Sequence, residues 1–481
     1  MATMFFLALC LVAMVSQPGA AHDEWFHAPS IWCGQGTRPP GCYEKFQPTG
    51  TYYEAWVNLE QRICGREPTE VLHCPSNFSE PIRRLAQINT DLYPPVFYFV
   101  LSWFVVSSPE VSYLTTRFGS ILIITLLLTF MIRFLPSRHL NALLLLLLTC
   151  FSTTGFYLLS SLNPSSWVTF GVGLGWLSLH AAISRDSNNA TQKLVLATVG
   201  VIALSMACGS RWDAVSFVAL AIVLISADFF IVRFPRSGRK AVVAILTLGV
   251  MTWLALELLS PLSPLAYTAN LFEYSEGQRD NIAFISDNLL QGFPNALAAL
   301  GSVPTQSPVY LPGITYVLNI ALLSYLMIRT FNRNLKIQIV GFGVVLVSIA
   351  GVIAAQVASL DSRDHGPLEP RYVYPLLLLG VGWWYLKCPP SFLGNTEKVL
   401  KKSAIIATAN FGITTFTIAE RYVDRQTFSF RFLPEGPENW WWSWLPIGPN
   451  MVVFLAPVFL WLFLHKLIDW TTTSYEDVVV R

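Results

Sequence analysis

Apolar runs of membrane-spanning length recur along the whole chain, and the polar residues collect between them. A spanning helix needs roughly 20 apolar residues, so these runs predict transmembrane helices. They fall at about 4–20, 119–136, 140–160, 165–183, 193–208, 213–232, 241–260, 311–331, 335–357, 372–387, 403–420 and 450–468. A further run, 94–107, is only about 14 residues long, too short to span, and reads as a juxtamembrane or re-entrant segment. The predicted fold class is an all-α polytopic membrane protein of about twelve helices.

Basic residues test that count. With 94–107 not spanning, alternate connections hold Arg133 and Arg138, then Arg185 and Lys193, then Arg233, Arg236, Arg239 and Lys240. Arg329, Arg333 and Lys336, and finally Lys387, Lys398, Lys401 and Lys402, continue the series. By the positive-inside rule these connections and both termini are cytoplasmic. The larger loops at 21–118, 261–310, 358–371 and 421–449 then lie outside. The chain divides into a first helix (1–20), a long outer loop with juxtamembrane elements (21–118), a multi-helix domain (119–468) and a short inner tail (469–481). The 4–20 run lacks the basic n-region of a signal peptide and reads as a retained first helix. Two glycosylation sequons, Asn77-Phe78-Ser79 and Asn189-Ala190-Thr191, fall on opposite sides. No 20–50-residue repeat or six-plus-six transporter symmetry is evident.

Composition agrees: 53% hydrophobic and 12% charged residues, with a mean hydropathy of +0.50, exclude a soluble domain. A net charge of +2 points to no nucleic-acid partner, leaving the lipid bilayer as the surrounding partner. Cys33, Cys42, Cys64 and Cys74 share the first outer loop, whereas Cys10, Cys150, Cys208 and Cys388 lie in or beside apolar runs. Two short-range loop pairs suggest disulfides Cys33–Cys42 and Cys64–Cys74, since neither spacing is of the CxxC metal type.

Three stretches could carry chemistry. Asp23-Glu24-Trp25-Phe26-His27 places adjacent carboxylates at the head of the outer loop, where a carboxylate suits a general base. Asp23, Glu24 and His27 could instead hold a divalent cation, or form a solvated acidic loop. Glu369-Pro370-Arg371-Tyr372 opens an apolar run with an outer arginine, which can bind a phosphate bidentately or mark a helix end. Arg117 and Arg211 are outer basic residues that could add a phosphate contact, although Arg211 with Asp213 reads as an ion pair. Tyr93-Pro94-Pro95 with Phe97 and Tyr98 gives an extended entry into the short run, its aromatics suited to a sugar face or an interfacial belt. Phosphate loops, dinucleotide glycine patterns, zinc HExxH and serine elbows are absent from the sequence.

Taken together, these residues resemble the GT-C superfamily of membrane glycosyltransferases. More narrowly, the chain is similar to a bacterial family of predicted membrane proteins of unknown function (DUF2142). The family's opening Pro-Asp-Glu-x-x-His is matched by His22-Asp23-Glu24-Trp25-Phe26-His27, its Tyr-Pro-Pro element by Tyr93–Tyr98, and its Gly-Arg-Tyr element by Pro370-Arg371-Tyr372. Its Asn-Pro-Asp motif stands here as Asn163-Pro164-Ser165, with serine in the carboxylate position.

The resemblance implies inverting transfer of a sugar from a polyprenyl-phosphate donor to an envelope glycan or glycolipid acceptor, outside a bacterial plasma membrane. Asp23, with Glu24, would be the base. Arg371 and Tyr372, helped by Arg211 or Arg117, would hold the donor phosphate, and His27, Tyr93, Pro94, Pro95 and Tyr98 would line the substrate site. No cofactor is required beyond an optional divalent cation. A transporter or flippase for a lipid-linked precursor, and a non-catalytic scaffold subunit of the same fold, are the alternatives.

Overall fold

The computed structural model describes residues 1–16, 21, 23–33, 43–47, 50–56, 83–87, 93–106, 109–184, 189–233, 311–331, 342–343, 346, 349, 373–388, 396–423, 442 and 445–479. Its helices in chain order are α1 (Ala2–Val15), α2 (Glu24–Cys33), α3 (Val96–Ser102), α4 (Pro109–Phe134), α5 (Ser137–Thr149), α6 (Phe156–Leu159) and α7 (Ser165–Phe170). They continue as α8 (Trp176–Ile183), α9 (Ala190–Cys208), α10 (Ala214–Arg233), α11 (Gly313–Arg329), α12 (Tyr374–Leu386), α13 (Glu397–Val423) and α14 (Pro449–Val479). π-Helical turns at Phe151–Gly155 and Gly171–Gly175 join α5 to α6 and α7 to α8.

Among the described residues, four helical spans are long and apolar enough to cross a membrane: Val111–Phe134, Ser165–Ile183, Ala190–Cys208 and Pro449–Thr473. A fifth is reached if the bent pair Ser137–Thr149 and Phe151–Leu159 counts as one. The expected runs at 241–260 and 335–357 lie wholly or largely outside the described residues, as do both loop-cysteine pairings.

Three features amend the all-α reading and its boundaries. The long loop after α1 contains a small antiparallel sheet of β1 (Tyr43–Gln47), β2 (Gly50–Trp56) and β3 (Arg83–Gln87), in the order β1-β2-β3. Its registers run from Tyr43↔Glu54 to Gln47↔Gly50 and from Tyr52↔Gln87 to Trp56↔Arg83, and α2 packs beside β2 and β3. Helix α4 starts at Pro109 rather than near 119, with proline in the first turn, where no amide donor is needed. The hydroxyls of Thr115 and Thr116 fold back on the carbonyls four residues earlier, so this polar stretch sits inside a helix. At the other terminus α14 continues to Val479 through the expected tail.

The core forms where helices are apolar on every side and must be covered all round. The leucine run of α5 is one such stretch, with Leu143–Leu148 fully buried, and α5 packs on α12, α8, α13 and α14. α1 is another: it lies against α14 and α4, and Trp442 donates its indole N–H to the Met14 carbonyl at 2.9 Å.

The expected single segment 140–160 instead bends by 80° after Thr149. A π-turn disrupts the regular backbone ladder and accounts for such a kink. Here Tyr374 at the head of α12 donates its hydroxyl to the Cys150 carbonyl at 2.5 Å. At the start of the second π-turn the backbone comes very close to α9. A Cβ on Gly171 would lie 2.3 Å from the Ala203 carbonyl oxygen, so only glycine fits.

The basic helix ends meet at one end of this bundle: Arg138 donates to the Leu386 carbonyl at 2.6 Å, and Gln192 to the Phe134 carbonyl at 2.6 Å. Asn189 of the second sequon caps α9 by accepting from the Thr191 amide at 2.9 Å. The head of the first loop lies at the opposite end.

Candidate functional site

The site is built on the turn that starts α2. The Glu24 amide donates to the Ala21 carbonyl at 3.0 Å, and the His27 amide to the Asp23 carbonyl at 3.0 Å. Between them Asp23 has φ 56°, the one positive-φ non-glycine residue among those described. Left-handed backbone costs an L-residue roughly 1–2 kcal/mol, least for Asp and Asn, and it persists only where neighbours enforce it. Asp23 itself is half-buried.

The enforcement comes from Glu24. Its side chain is fully buried and grips Arg117 of α4 in a fork: Nε donates to Oε1 at 2.8 Å and Nη2 to Oε2 at 2.5 Å. The Leu162 amide adds a third bond to Oε1 at 3.0 Å. Arg117 spends its remaining Nη1 on the Ala13 carbonyl at 2.5 Å and the Ser16 carbonyl at 3.0 Å. Those carbonyls close the C-terminal turn of α1, where a cation meets the negative end of the helix dipole. One buried pair therefore joins α1, α2, α4 and the loop before α7.

Beside this clamp stands an aromatic group. Pro94 is buried and Pro95 exposed, and Pro95 leads into the seven-residue α3, too short to span. The Phe97 amide donates to the Gly209 carbonyl at 3.2 Å, tying α3 to the loop after α9. His27 is buried, with Nδ1 2.9 Å from the Tyr98 hydroxyl and its ring edge-on to Tyr93 at 5.0 Å. Burial, then Tyr93 and Asp23, push the Tyr98 phenol well above its ordinary range, while Arg211 pulls it back. Asp23 and Arg211 thus act on the same phenol.

Arg211 pairs with Asp213, as the sequence suggested, through Nε to Oδ1 at 2.9 Å and through Nη2 to Oδ2. Its Nη1 donates to Ser165 Oγ at 2.7 Å, and the Ser165 amide donates to Asn163 Oδ1 at 2.8 Å.

The family model for the predicted membrane protein family DUF2142 matches residues 5–379. The chain belongs to this family. No curated protein and no solved structure matches it.

The stretches singled out in the sequence converge from distant segments. Asp23, Glu24 and His27 from the opening motif, Tyr93–Tyr98, and Asn163-Pro164-Ser165 with Arg211 form one cluster. Arg371 and Tyr372 lie outside the described residues; Val373, which follows them, is fully buried.

Two expectations change. Glu24 as a second base and Arg117 as a phosphate contact do not fit, because each is 1% exposed or less and their charges are spent on each other. The Asp23, Glu24 and His27 set also does not fit a metal: both Glu24 oxygens carry donors, and His27 Nδ1 faces a phenol. Among the described residues no group of three or more His, Cys, Asp or Glu is placed to hold an ion. Two contributors escaped the sequence reading. Ser165 looked like the loss of a motif carboxylate, yet it holds Arg211, and the Leu162 amide carries no side-chain signal at all.

Proposed function

We propose that this DUF2142 chain is an inverting GT-C-type glycosyltransferase using a polyprenyl-phosphate sugar outside a bacterial plasma membrane. The twelve-helix, termini-inside topology belongs to the same reading. The observation that carries it is Asp23: a half-buried acidic residue in left-handed backbone beside a buried clamp, close enough to the Tyr98 phenol to act on it electrostatically, as Arg211 does with opposite sign. Strain maintained at a polar group is the mark of a working residue.

In this reading Asp23 takes the proton of an acceptor hydroxyl. The oxygen then bonds to the anomeric carbon of the donor, and the bond from that carbon to the phosphate oxygen breaks. The polyprenyl phosphate leaves with the electron pair, its charge held by Arg371 with Tyr372, an electrostatic role that the dry membrane boundary strengthens. Arg211 already shares its charge with Asp213, so its part is to hold the Ser165 turn against α3 rather than to bind phosphate alone. Tyr93, Tyr98 and His27 offer flat faces and a hydroxyl to a sugar ring.

The test is transfer of label from a radiolabelled polyprenyl-phosphate-sugar fraction to glycan in membranes carrying the protein. Asp23→Asn and Arg371→Ala should each abolish transfer at unchanged protein level. Full transfer by both variants would defeat the proposal. Movement of the labelled lipid across vesicles without transfer would replace it with the transport reading.

A further inference from the structure

At the opposite end of the bundle, four titratable side chains, three from helices and one from the end of a fourth, form one buried chain. Lys387, just past α12, pairs with Asp228 Oδ1 of α10. Asp228 Oδ2 lies 2.9 Å from His180 Nε2 of α8, and His180 Nδ1 lies 2.9 Å from His139 Nε2 of α5. His139, His180 and Asp228 are 0%, 4% and 6% exposed. Arg138 stands beside them on α5, Cys388 follows Lys387, and Lys387 Nζ sits 4.8 Å over the Trp383 ring. The groups are bonded in series, and none of the chemistry proposed at Asp23 uses them.

Hydrogen-bond roles fix the resting state. An ionised Asp228 only accepts, so His180 Nε2 carries a proton toward it. A neutral His180 must then accept at Nδ1, which makes His139 Nε2 the donor. The whole chain is directional, with Lys387 balancing Asp228 and both imidazoles neutral. One added proton at His180 reverses the link between the two imidazoles. An imidazolium at His180 donates from both nitrogens, so His139 must turn its Nε2 into an acceptor. The cluster also gains an unbalanced positive charge beside Arg138 and Lys387, in surroundings where such a charge is costly.

We propose that His139, His180, Asp228 and Lys387 form a proton-binding site whose loading loosens α10 and the C-terminal end of α12 from α5 and α8. The ligand is a single proton taken from the side of the bundle that carries the basic helix ends. Histidine suits the task because its imidazole can donate, accept and take up one further proton. The site does not rest on the sugar-transfer reading, and its test needs no substrate.

The experiment is hydrogen–deuterium exchange by mass spectrometry on the full chain in lipid nanodiscs, from pH 8 to pH 5 and corrected for intrinsic exchange rates. Wild type should lose protection in the α10 and α12 peptides on acidification, with α9 as an internal reference. His180→Gln should remove that response. If it does not fold, His180→Asn serves instead, because its amide can still donate toward Asp228 while it cannot take up the proton. Lys387→Met should move the midpoint to higher pH by about one unit, since a proton then supplies the cation that Asp228 has lost. Equal protection at both ends of the pH range would overturn the proposal. So would an unchanged acid response in the histidine variants, or a midpoint in Lys387→Met that stays put or moves down.

Discussion

Replacing Arg117 by methionine isolates what the Glu24 clamp contributes. Methionine keeps much of the apolar volume but removes the guanidinium, so the Glu24 carboxylate stays buried without its counter-charge. Removing one partner of a buried pair typically costs about 3–5 kcal/mol, because the remaining charge has no compensation. The Ala13 and Ser16 carbonyls also lose their donor, at about 1–3 kcal/mol for a buried group left unsatisfied. The single variant is therefore expected to lose at least about 4 kcal/mol. Glu24→Gln in the same background removes the stranded charge, so the double variant should recover about 2–3 kcal/mol relative to additivity. Sodium dodecyl sulfate unfolding of the four proteins, followed by tryptophan fluorescence, closes the cycle. Additivity within about 0.5 kcal/mol, or a loss below about 1 kcal/mol in Arg117→Met, would refute the reasoning that this pair is the buried joint of α1, α2 and α4. Because Asp23 immediately precedes Glu24, the double variant should also be poor in sugar transfer even where it folds.

Other consequences are simpler to state. Asp23→Gly relieves the left-handed backbone and should stay within about 1 kcal/mol of wild type, whereas Asp23→Val should cost more than about 1 kcal/mol, both measured by unfolding and both without transfer. The raised Tyr98 phenol holds its proton longer in the folded than in the unfolded chain. The stability it adds is complete below pH 10 and is lost only as pH climbs from there toward the folded value, so Tyr98→Phe should flatten the alkaline limb of an unfolding-against-pH profile. Gly171→Ala drives a methyl into the Ala203 carbonyl and should destabilise by about 1–3 kcal/mol, with α9 peptides exchanging faster.

Much of the architecture was legible in the residue pattern because the bilayer leaves few solutions. The run at 165–183 became one helical span with those bounds, and the run at 94–107 became a short helix. The bend after Thr149 was not legible, since Cys150 to Gly155 holds no proline and no charge to interrupt the run. Its backbone departs from the regular ladder where Tyr374, more than two hundred residues away, supplies a hydroxyl. The polar start of α4 was read as loop because Ser112, Thr115, Thr116 and Arg117 look solvent-seeking until their partners are known.

By itself the sequence determined that the chain is a membrane protein, which of its helix ends are basic, and which motifs place it beside its family. These follow from local composition against the roughly 30 Å apolar thickness of a bilayer. Only the tertiary structure decided between the two adjacent carboxylates. On the chain Asp23 and Glu24 are equivalent neighbours; in the fold one backbone turn sends Glu24 into the interior to meet Arg117 and leaves Asp23 at the edge. The chain from His139 to Lys387 has the same origin. Its members are single polar residues in or beside four separate apolar segments, and only packing brings their atoms within hydrogen-bond reach.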